Sequence, residues 1–262
     1  MPGSGTVRWS DIPANRILEF DPATGQTRVH RSDVEYTNGR TLDLNGHVVQ
    51  CSHGRRAVER EVDGEPHTIV DSWDGKRFNS PNDVVVHSDG TIWFTDPPYG
   101  IQESGREGHP GTQDYPGCYV FRLDEATGVA TPVVTELAHP NGLAFSLDES
   151  LLYVTDTAPI EGSEAPRPIR VYDVTGGVAS NGRVFAQQSG TADGLRVDAA
   201  GRVWTSSGPA VQVFSPDGEL LLDIPLPETA SNVCFGGTDG RDLYITASTS
   251  LYRVRTTTRG AR

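Results

Sequence analysis

Short apolar runs separated by turns repeat along the whole chain. Five segments share one order: an Asn or Asp, a short apolar run, a turn and a second apolar run. We call the residues that open these segments anchors; they are Asn38, Asn82, Asn141, Asp193 and Asn232. Short apolar runs bounded by turn residues are typical of strands, and no sustained apolar pattern at helical spacing interrupts them.

The spacing of the anchors predicts the fold. Neighbouring anchors are 39 to 59 residues apart, which brackets the ~40–50 residues of a four-stranded propeller blade. Residues 7–30 match the later strands of a blade and supply a sixth unit. We therefore predict an all-β, six-bladed β-propeller with a metal site in its central channel, built as one domain over residues 1–262.

The two longest intervals between anchors, Asn82 to Asn141 and Asn141 to Asp193, contain insertions. Residues 102–117, the first insertion loop, and residues 158–168, the second insertion loop, are rich in Gly, Pro and charged residues. Such composition is typical of surface loops. In a propeller both would follow the second strand of a blade, where they would cover one mouth of the channel.

The composition makes some classes of binding partner and some cellular locations less compatible with this chain. The 262 residues carry a net charge of −13, which argues against nucleic acid and anionic membranes. There is no uncharged apolar run long enough to span a membrane, and the N-terminus does not resemble a signal peptide, so we predict a cytoplasmic protein. The three cysteines lie far apart, which favours reduced and mostly buried thiols.

The side chains of the anchors are candidate metal ligands. In a ring of blades their amide and carboxylate oxygens would meet near the axis, and Ca²⁺ takes six to eight such oxygens at about 2.3–2.6 Å. Zinc fits less well, because the anchors include no His or Cys. The alternative is structural: Asn and Asp before Gly are common turn residues that tolerate left-handed backbone.

Three segments resemble the gluconolactonase/regucalcin family of six-bladed propellers. They are FNSPNDVVVHSDGTIWFTDPPYG, HPNGLAFSLDESLLYVTD and ADGLRVDAAGRVW, and the resemblance extends over residues 9–255. It implies hydrolysis of a small, sugar-type lactone with one divalent cation, usually Ca²⁺, with Mn²⁺, Zn²⁺ or Mg²⁺ as alternatives. It also implies that Asn82 is a metal or substrate ligand and that Asn141 and Asp193 are metal ligands.

The resemblance also suggests a mechanism. The metal would polarise the lactone carbonyl, and Asp193 would bind the metal and orient or deprotonate the attacking water. Direct nucleophilic attack by Asp193 is the rival role. The sequence leaves both open.

Four further residues are candidates for substrate binding. His53 follows the second strand of its blade, Arg77 and Asn79 precede the SPND motif, and His139 precedes Asn141. The alternatives are a surface-loop histidine at position 53 and a turn-packing role for His139. Ser206 and Ser207 lack the context of a nucleophilic serine.

The chain departs from the family in its first blade. The family places a Glu before a Gly-Pro pair on the innermost strand there, and this chain has no such Glu. The difference indicates either a start codon placed too late or a natural variant with three metal ligands. The missing Glu leaves two other functions open. The propeller could serve as a binding scaffold, or the protein could be a related aryl esterase or phosphotriesterase. A missing inner strand would also expose a sheet edge, which favours a homodimer.

Overall fold

The structure, a computed structural model, describes residues 5–261. It is almost entirely β, with one short 3₁₀ helix at Tyr99–Ile101. The chain divides into two compact units, Met1–His139 and Pro140–Arg262. Each unit contains three blade-like antiparallel sheets in chain order, so the six-bladed β-propeller class predicted from the repeat is confirmed. The extent of the domain stays a prediction.

The first unit contains the first three blades. The first sheet has three strands: β1 (Val7–Asp11), β2 (Arg16–Asp21) and β3 (Gln26–Ser32). The second sheet has four: β4 (Thr37–Leu42), β5 (Val48–Ser52), β6 (Ala57–Val62) and β7 (Glu65–Val70). A small hairpin, β8 (Ser72–Trp73) and β9 (Lys76–Arg77), precedes the third sheet. The third sheet consists of β10 (Val84–Val86), β11 (Ile92–Asp96), β12 (Tyr119–Asp124) and β13 (Val129–Val134).

The second unit contains the other three blades. The fourth sheet consists of β14 (Pro140–Phe145), β15 (Leu151–Asp156), β16 (Ile169–Thr175) and β17 (Val178–Ala186). The fifth consists of β18 (Leu195–Val197), β19 (Val203–Ser206), β20 (Ala210–Phe214) and β21 (Leu220–Pro225). The sixth has three strands: β22 (Ala230–Gly236), β23 (Asp242–Ala247) and β24 (Leu251–Arg255).

Apolar residues from several strands of each blade form a core inside each unit. In the first unit Phe78 packs against Phe94 and Phe121, with ring centroids 5.1 and 5.0 Å away. In the second unit Ile169 and Leu195 are fully buried in one cluster. Side chains of this size each stabilise the fold by about 1.5–3 kcal/mol on burial. The cores therefore hold the innermost strands, and with them the anchors, in fixed positions.

Glycines after the anchors let neighbouring innermost strands approach closely. A Cβ on Gly39 would lie 2.5 Å from the Asn82 carbonyl oxygen, and one on Gly142 would lie 2.3 Å from that of Asp193. Neither glycine has a positive φ, and both lie within strands. The turn alternative for these Asn-Gly pairs is therefore wrong: the glycine is needed for close packing between blades.

A hydroxyl near the end of the second strand of one blade also contacts the backbone at the start of the next blade. Ser10 Oγ donates to the Asn38 carbonyl at 2.7 Å, Thr155 Oγ1 to that of Asp193 at 2.7 Å, and Ser206 Oγ to that of Ser231 at 3.2 Å. Each hydroxyl thus fixes the backbone at or beside the anchor of the next blade. The WSD, VTD and TSS segments of the sequence carry this feature.

The first sheet begins with a strand that corresponds to the second strand of the other blades. Ser10 of β1 contacts Asn38 in the same way that Thr155 of β15 contacts Asp193. Within residues 5–261 the first blade therefore lacks an innermost strand. At the other end, Ala199 and Ala261 donate backbone hydrogen bonds to Arg259 and Val197, at 2.9 and 3.1 Å, so the last described residues pack on the fifth blade.

Two smaller predictions can also be compared with the structure. All three cysteines are free, with Cys51 and Cys118 buried and Cys234 exposed. Over residues 5–261 we find no helix of the length and apolar character needed to cross a membrane.

Candidate active site

Asn141 and Asp193 lie next to each other at the starts of neighbouring innermost strands in the second unit. The Gly142 N–H donates to the Asp193 carbonyl at 3.1 Å, and the Asp193 N–H donates to Ser206 Oγ at 3.0 Å. Asn141 is 8 % exposed and Asp193 is half-buried. The Asp193 backbone is thus held from two sides, which fixes the position from which its side chain extends.

Replacing Thr155 tests how this backbone is held. Thr155→Val removes the buried hydroxyl that donates to the Asp193 carbonyl. We expect it to lower the free energy of unfolding by about 1 kcal/mol, the net contribution of one such hydrogen bond. Thr175→Val, on the same sheet but exposed, is the control. Equal stability of the two variants in urea unfolding would show that the bond contributes nothing.

Asn82 lies in a polar cluster in the first unit. Its Oδ1 accepts from Asn38 Nδ2 at 2.5 Å and lies 3.2 Å from His53 Nε2. His53 is fully buried, and burial lowers its pKa to about 4, so the ring is neutral at physiological pH. The structure thus brings Asn82 and His53 together and adds Asn38, which sequence reasoning treated only as a repeat anchor. The substrate role of His53 stays a prediction.

Asn79 is held by a buried carboxyl at the end of β11. Asp96 accepts the backbone N–H groups of Asn79 and Ser80 at 2.7 and 2.8 Å and the hydroxyl of Tyr115. Asn79 Nδ2 donates to the carbonyls of Asp96 and Gly117, both at 3.1 Å. Asp96 therefore fixes the residues that lead into Asn82. Asn79 is fully buried, and its proposed contact with substrate stays a prediction.

The environment of Asp96 makes stability depend on pH. Burial raises the pKa of Asp96 from 3.8 to about 7, although Tyr115, the two backbone N–H groups and the Arg56 charge oppose the shift. The folded protein therefore binds this proton more tightly than the unfolded chain does. The stabilisation from this group is full below about pH 4 and is lost as the pH rises to about 7.

Asp96→Asn is expected to remove that pH dependence. An amide NH₂ would also face a backbone N–H of Asn79 or Ser80, because each carboxyl oxygen accepts one of them. We expect a loss of about 1–3 kcal/mol at pH 7, which grows as the pH falls towards 4 because the wild type alone gains stability there. Urea unfolding between pH 4 and 8 measures this. A difference that shrinks towards pH 4 would contradict it.

The other two predicted residues are less enclosed. Arg77 is exposed, and its side chain donates to the Arg55 carbonyl at 3.1 Å. His139 is half-buried, and its ring meets that of Tyr99 edge-on at 5.8 Å between centroids. Neither contact brings these residues to Asn82, and their substrate roles stay predictions.

A cavity of about 180 Å³ lies beneath the second insertion loop. Its lining includes Asp156, Thr157, Arg167 and Thr191. Asn141 Nδ2 donates to Thr157 Oγ1 at 3.4 Å, so the cavity adjoins Asn141. The volume is below the roughly 300–1,000 Å³ of pockets for drug-sized ligands. A small ligand with several hydroxyl groups matches its size and polar lining.

The donor chemistry of the predicted metal ligands fits a hard cation. Asn141 and Asp193 offer an amide and a carboxylate oxygen, of the kind Ca²⁺ prefers. Within residues 5–261 no three His, Cys, Asp or Glu side chains are grouped to hold a metal, so any site must use amide or backbone oxygens and water. The nearest first-blade acids are engaged elsewhere: Asp11 pairs with Arg16 at 2.8 Å and Glu35 with His109 at 3.0 Å.

Fold and site together define a six-bladed β-propeller with amide and carboxylate oxygens at the starts of its innermost strands. The chain belongs to the SMP-30/gluconolactonase/LRE-like family, whose model matches residues 1–249. The prediction of this family from the three sequence segments is confirmed.

Individual relatives agree with the family assignment. A gluconolactonase from Zymomonas mobilis subsp. mobilis is 31 % identical, with 96 % of this chain and 75 % of that protein covered. Pentonolactonase XacC from Haloferax volcanii is 32 % identical, with 94 % and 79 % covered. The structure of XC5397 from Xanthomonas campestris, described as a gluconolactonase, superposes with a TM-score of 0.88 at 39 % identity, covering 95 % of this chain and 82 % of that one.

Proposed function

We propose that this chain opens a small, sugar-type lactone by metal-assisted hydrolysis, with Asp193 as the central residue. The chain is a lactonase, a carboxylic ester hydrolase, because the family match covers nearly all of it and relatives with that activity are similar over most of their length. The observation that carries the proposal for the site is the position of Asn141 and Asp193 at the starts of neighbouring innermost strands, where the Gly142 N–H donates to the Asp193 carbonyl and the Asp193 backbone is fixed.

Asn141 and Asp193 are the proposed metal ligands, and Asn82 the proposed ligand of either the metal or the substrate. Calcium is the proposed cation, because oxygen donors and water suit it; Mn²⁺, Zn²⁺ and Mg²⁺ are alternatives for the assay. When bound, such a cation polarises a carbonyl and stabilises the oxyanion that forms on attack.

Asp193 has the proposed task of orienting and deprotonating the attacking water. Its backbone is held by Gly142, Thr155 and Ser206, so the Cα that carries the carboxylate is fixed in position. A positioned general base contributes about 10²–10⁴-fold to a rate. Direct attack by the Asp193 carboxylate on the lactone carbonyl is the rival role, and it would form an acyl-enzyme.

The cavity beside Asn141 is the proposed place of the hydroxyl groups of the substrate. Thr157 and Thr191 can donate and accept hydrogen bonds there, and Arg167 adds a donor. Arg167 Nε already donates to the Ala158 carbonyl at 3.0 Å, which holds the second insertion loop over the cavity. This loop is therefore the proposed determinant of which lactone fits.

A lactone panel tests the proposal. Proton release is measured with five- and six-carbon sugar lactones, an aryl acetate and a phosphotriester, with EDTA and with added Ca²⁺ or Mn²⁺. We expect turnover of a sugar lactone that depends on the cation. Preference for the aryl acetate or the phosphotriester would instead support the related esterase activities.

A scaffold function is the second candidate, favoured by one observation: within the described residues the first blade lacks the innermost strand on which the family carries its Glu. Fewer carboxylates weaken Ca²⁺ binding. A folded protein that hydrolyses no member of the panel at millimolar Ca²⁺ would support this alternative. The cytoplasmic location and the homodimer remain predictions.

A further inference from the structure

A second cavity lies between the first and second blades, within the first unit. Its volume is about 240 Å³, against the roughly 30 Å³ that one molecule of liquid water occupies. Residues of β2, β3, β5 and β7 and of the connections beside them line it. The proposed metal ligands and substrate-binding residues lie outside this lining, so the proposed reaction gives the cavity no role.

The inner wall of the cavity is apolar apart from one amide. Ile17, Val34 and Gln50 are buried, and all three line the cavity. On β5, Val49 and Cys51 pack in a core cluster with residues of the third blade, so Gln50, which lies between them in the strand, points the other way, towards the first blade. The buried part of the lining thus offers two aliphatic side chains and one polar group.

The hydrogen bonds of Gln50 determine which end of its amide faces the cavity. Its Nε2 donates to Glu59 Oε2 at 3.0 Å and to Thr37 Oγ1 at 3.4 Å. Glu59 is itself fully buried and accepts from Arg55 Nη1 at 2.8 Å. A carboxylate only accepts hydrogen bonds, so the NH₂ end of the Gln50 amide faces Glu59 and the oxygen faces away from it.

The Gln50 oxygen is an acceptor that the protein itself does not use. Within residues 5–261 no group donates to Oε1, although the residue is only 3 % exposed. Because Gln50 lines the cavity, this oxygen opens onto it. A ligand that fits must therefore donate a hydrogen bond to Oε1 and place an apolar surface on Ile17 and Val34.

The charges at the mouth of the cavity favour a neutral ligand. Arg31 and Arg55 both line it. Each lies beside a carboxylate: Arg31 Nη2 is 3.6 Å from Glu65 Oε1, and Arg55 pairs with the buried Glu59. Asp33 adds one further negative charge to the lining. An anion would therefore meet an excess of negative charge, and a cation would meet two guanidinium groups.

We propose that this cavity binds a small neutral polyol, such as a sugar or a sugar alcohol, with one hydroxyl donating to Gln50 Oε1. The carbon–hydrogen face of the ligand lies on Ile17 and Val34, and its other hydroxyls accept hydrogen bonds from Arg31 and Arg55. The cavity is then a separate polyol site, and binding there does not depend on the proposed lactone hydrolysis.

Titration of the full-length protein with D-sorbitol and D-glucose tests the proposal. The Gln50 side chain gives a ¹H–¹⁵N amide signal, identified as the one that is absent from Gln50→Met. We expect this signal to shift saturably with both neutral compounds and not with gluconate at equal ionic strength. No saturable shift with either neutral compound, or an equal response to gluconate, would overturn the proposal.

Ser32→Trp is the variant that blocks the cavity. Ser32 lines the cavity and is exposed at the end of β3, the outermost strand of the first blade, so the fold should tolerate the larger side chain. The shift of the Gln50 signal should be lost in Ser32→Trp. It should be retained in Ser180→Trp, the matched control, which changes an exposed serine in the outermost strand of the fourth blade.

The remaining outcomes separate this proposal from the proposed function. A wild-type shift in Ser32→Trp would overturn the polyol site, and if that variant does not fold, the contrast between D-sorbitol and gluconate in the wild type decides. Lactone turnover should be unchanged in Ser32→Trp; its loss would overturn the separation of the two sites. A wild-type protein without lactonase activity would refute the proposed function and leave the polyol titration valid.

Discussion

Asp193→Asn should lower the metal-dependent rate of lactone hydrolysis by about 10²–10⁴-fold, because it removes the proposed general base and the one carboxylate among the predicted metal ligands. The fold should survive, since Gly142, Thr155 and Ser206 hold the backbone of Asp193, which the substitution leaves unchanged. Thermal melting with and without Ca²⁺ should show a ligand-induced rise in the wild type that the variant lacks.

The control for this variant is Asp217→Asn, an exposed aspartate in a turn of the same blade. It makes the same change in charge and should leave the rate unchanged. If Asp193→Asn retains wild-type turnover, Asp193 is neither base nor nucleophile, and the site must be sought elsewhere.

A single turnover in ¹⁸O-labelled water can identify direct attack by Asp193, through label in the Asp193 side chain. If Asp193 activates water, the new oxygen appears in the carboxylate of the product. If Asp193 attacks the lactone and water then cleaves the acyl-enzyme at the Asp193 carbonyl, the label appears in the Asp193 side chain.

Gly142→Ala should strongly destabilise the protein. Its Cβ would lie 2.3 Å from the Asp193 carbonyl oxygen, which is backbone and cannot rotate away. Overpacking of this kind costs about 1–3 kcal/mol and sometimes more; we expect about 3 kcal/mol in urea unfolding. The shift would also displace Asp193, so Ca²⁺ binding should weaken in the fraction that folds.

Gly111→Ala is the matched control for this prediction. Gly111 also lacks a positive φ, but the nearest atom to its added Cβ, Ile101 Cγ2, is 3.6 Å away, an ordinary contact. Similar stability of the two variants would mean that the innermost strands of neighbouring blades separate easily, and the proposed role of the glycine would be wrong.

The sequence predicted the blades because each anchor marks the same place in a repeated unit. Each repeat also contains a turn between its two apolar runs, and Gly46 and Gly90 adopt a positive φ in two of these turns. The dipeptides Asn38-Gly39 and Asn141-Gly142 were ambiguous, because a turn and a close strand contact both require glycine. Only the distance to the next blade distinguishes the two.

Other parts of the site depend on contacts that local pattern does not show. His53 contacts Glu107, 54 positions away, through a backbone carbonyl that any residue would supply. Asp96 ends its strand, and its link to Tyr115 arises from how the first insertion loop folds back. The hydroxyls of Ser10, Thr155 and Ser206 recur at the same place in the repeat, but we predicted no contact for them from the sequence.

The most direct test of the central claim is the rate of gluconolactone opening by protein freed of metal with EDTA, as Ca²⁺ is restored, after subtraction of spontaneous hydrolysis. The account predicts a negligible rate without the cation and a saturable rise with it, absent from Asp193→Asn. A rate that is the same with and without the cation would contradict it, as would no rate above background at any Ca²⁺ concentration.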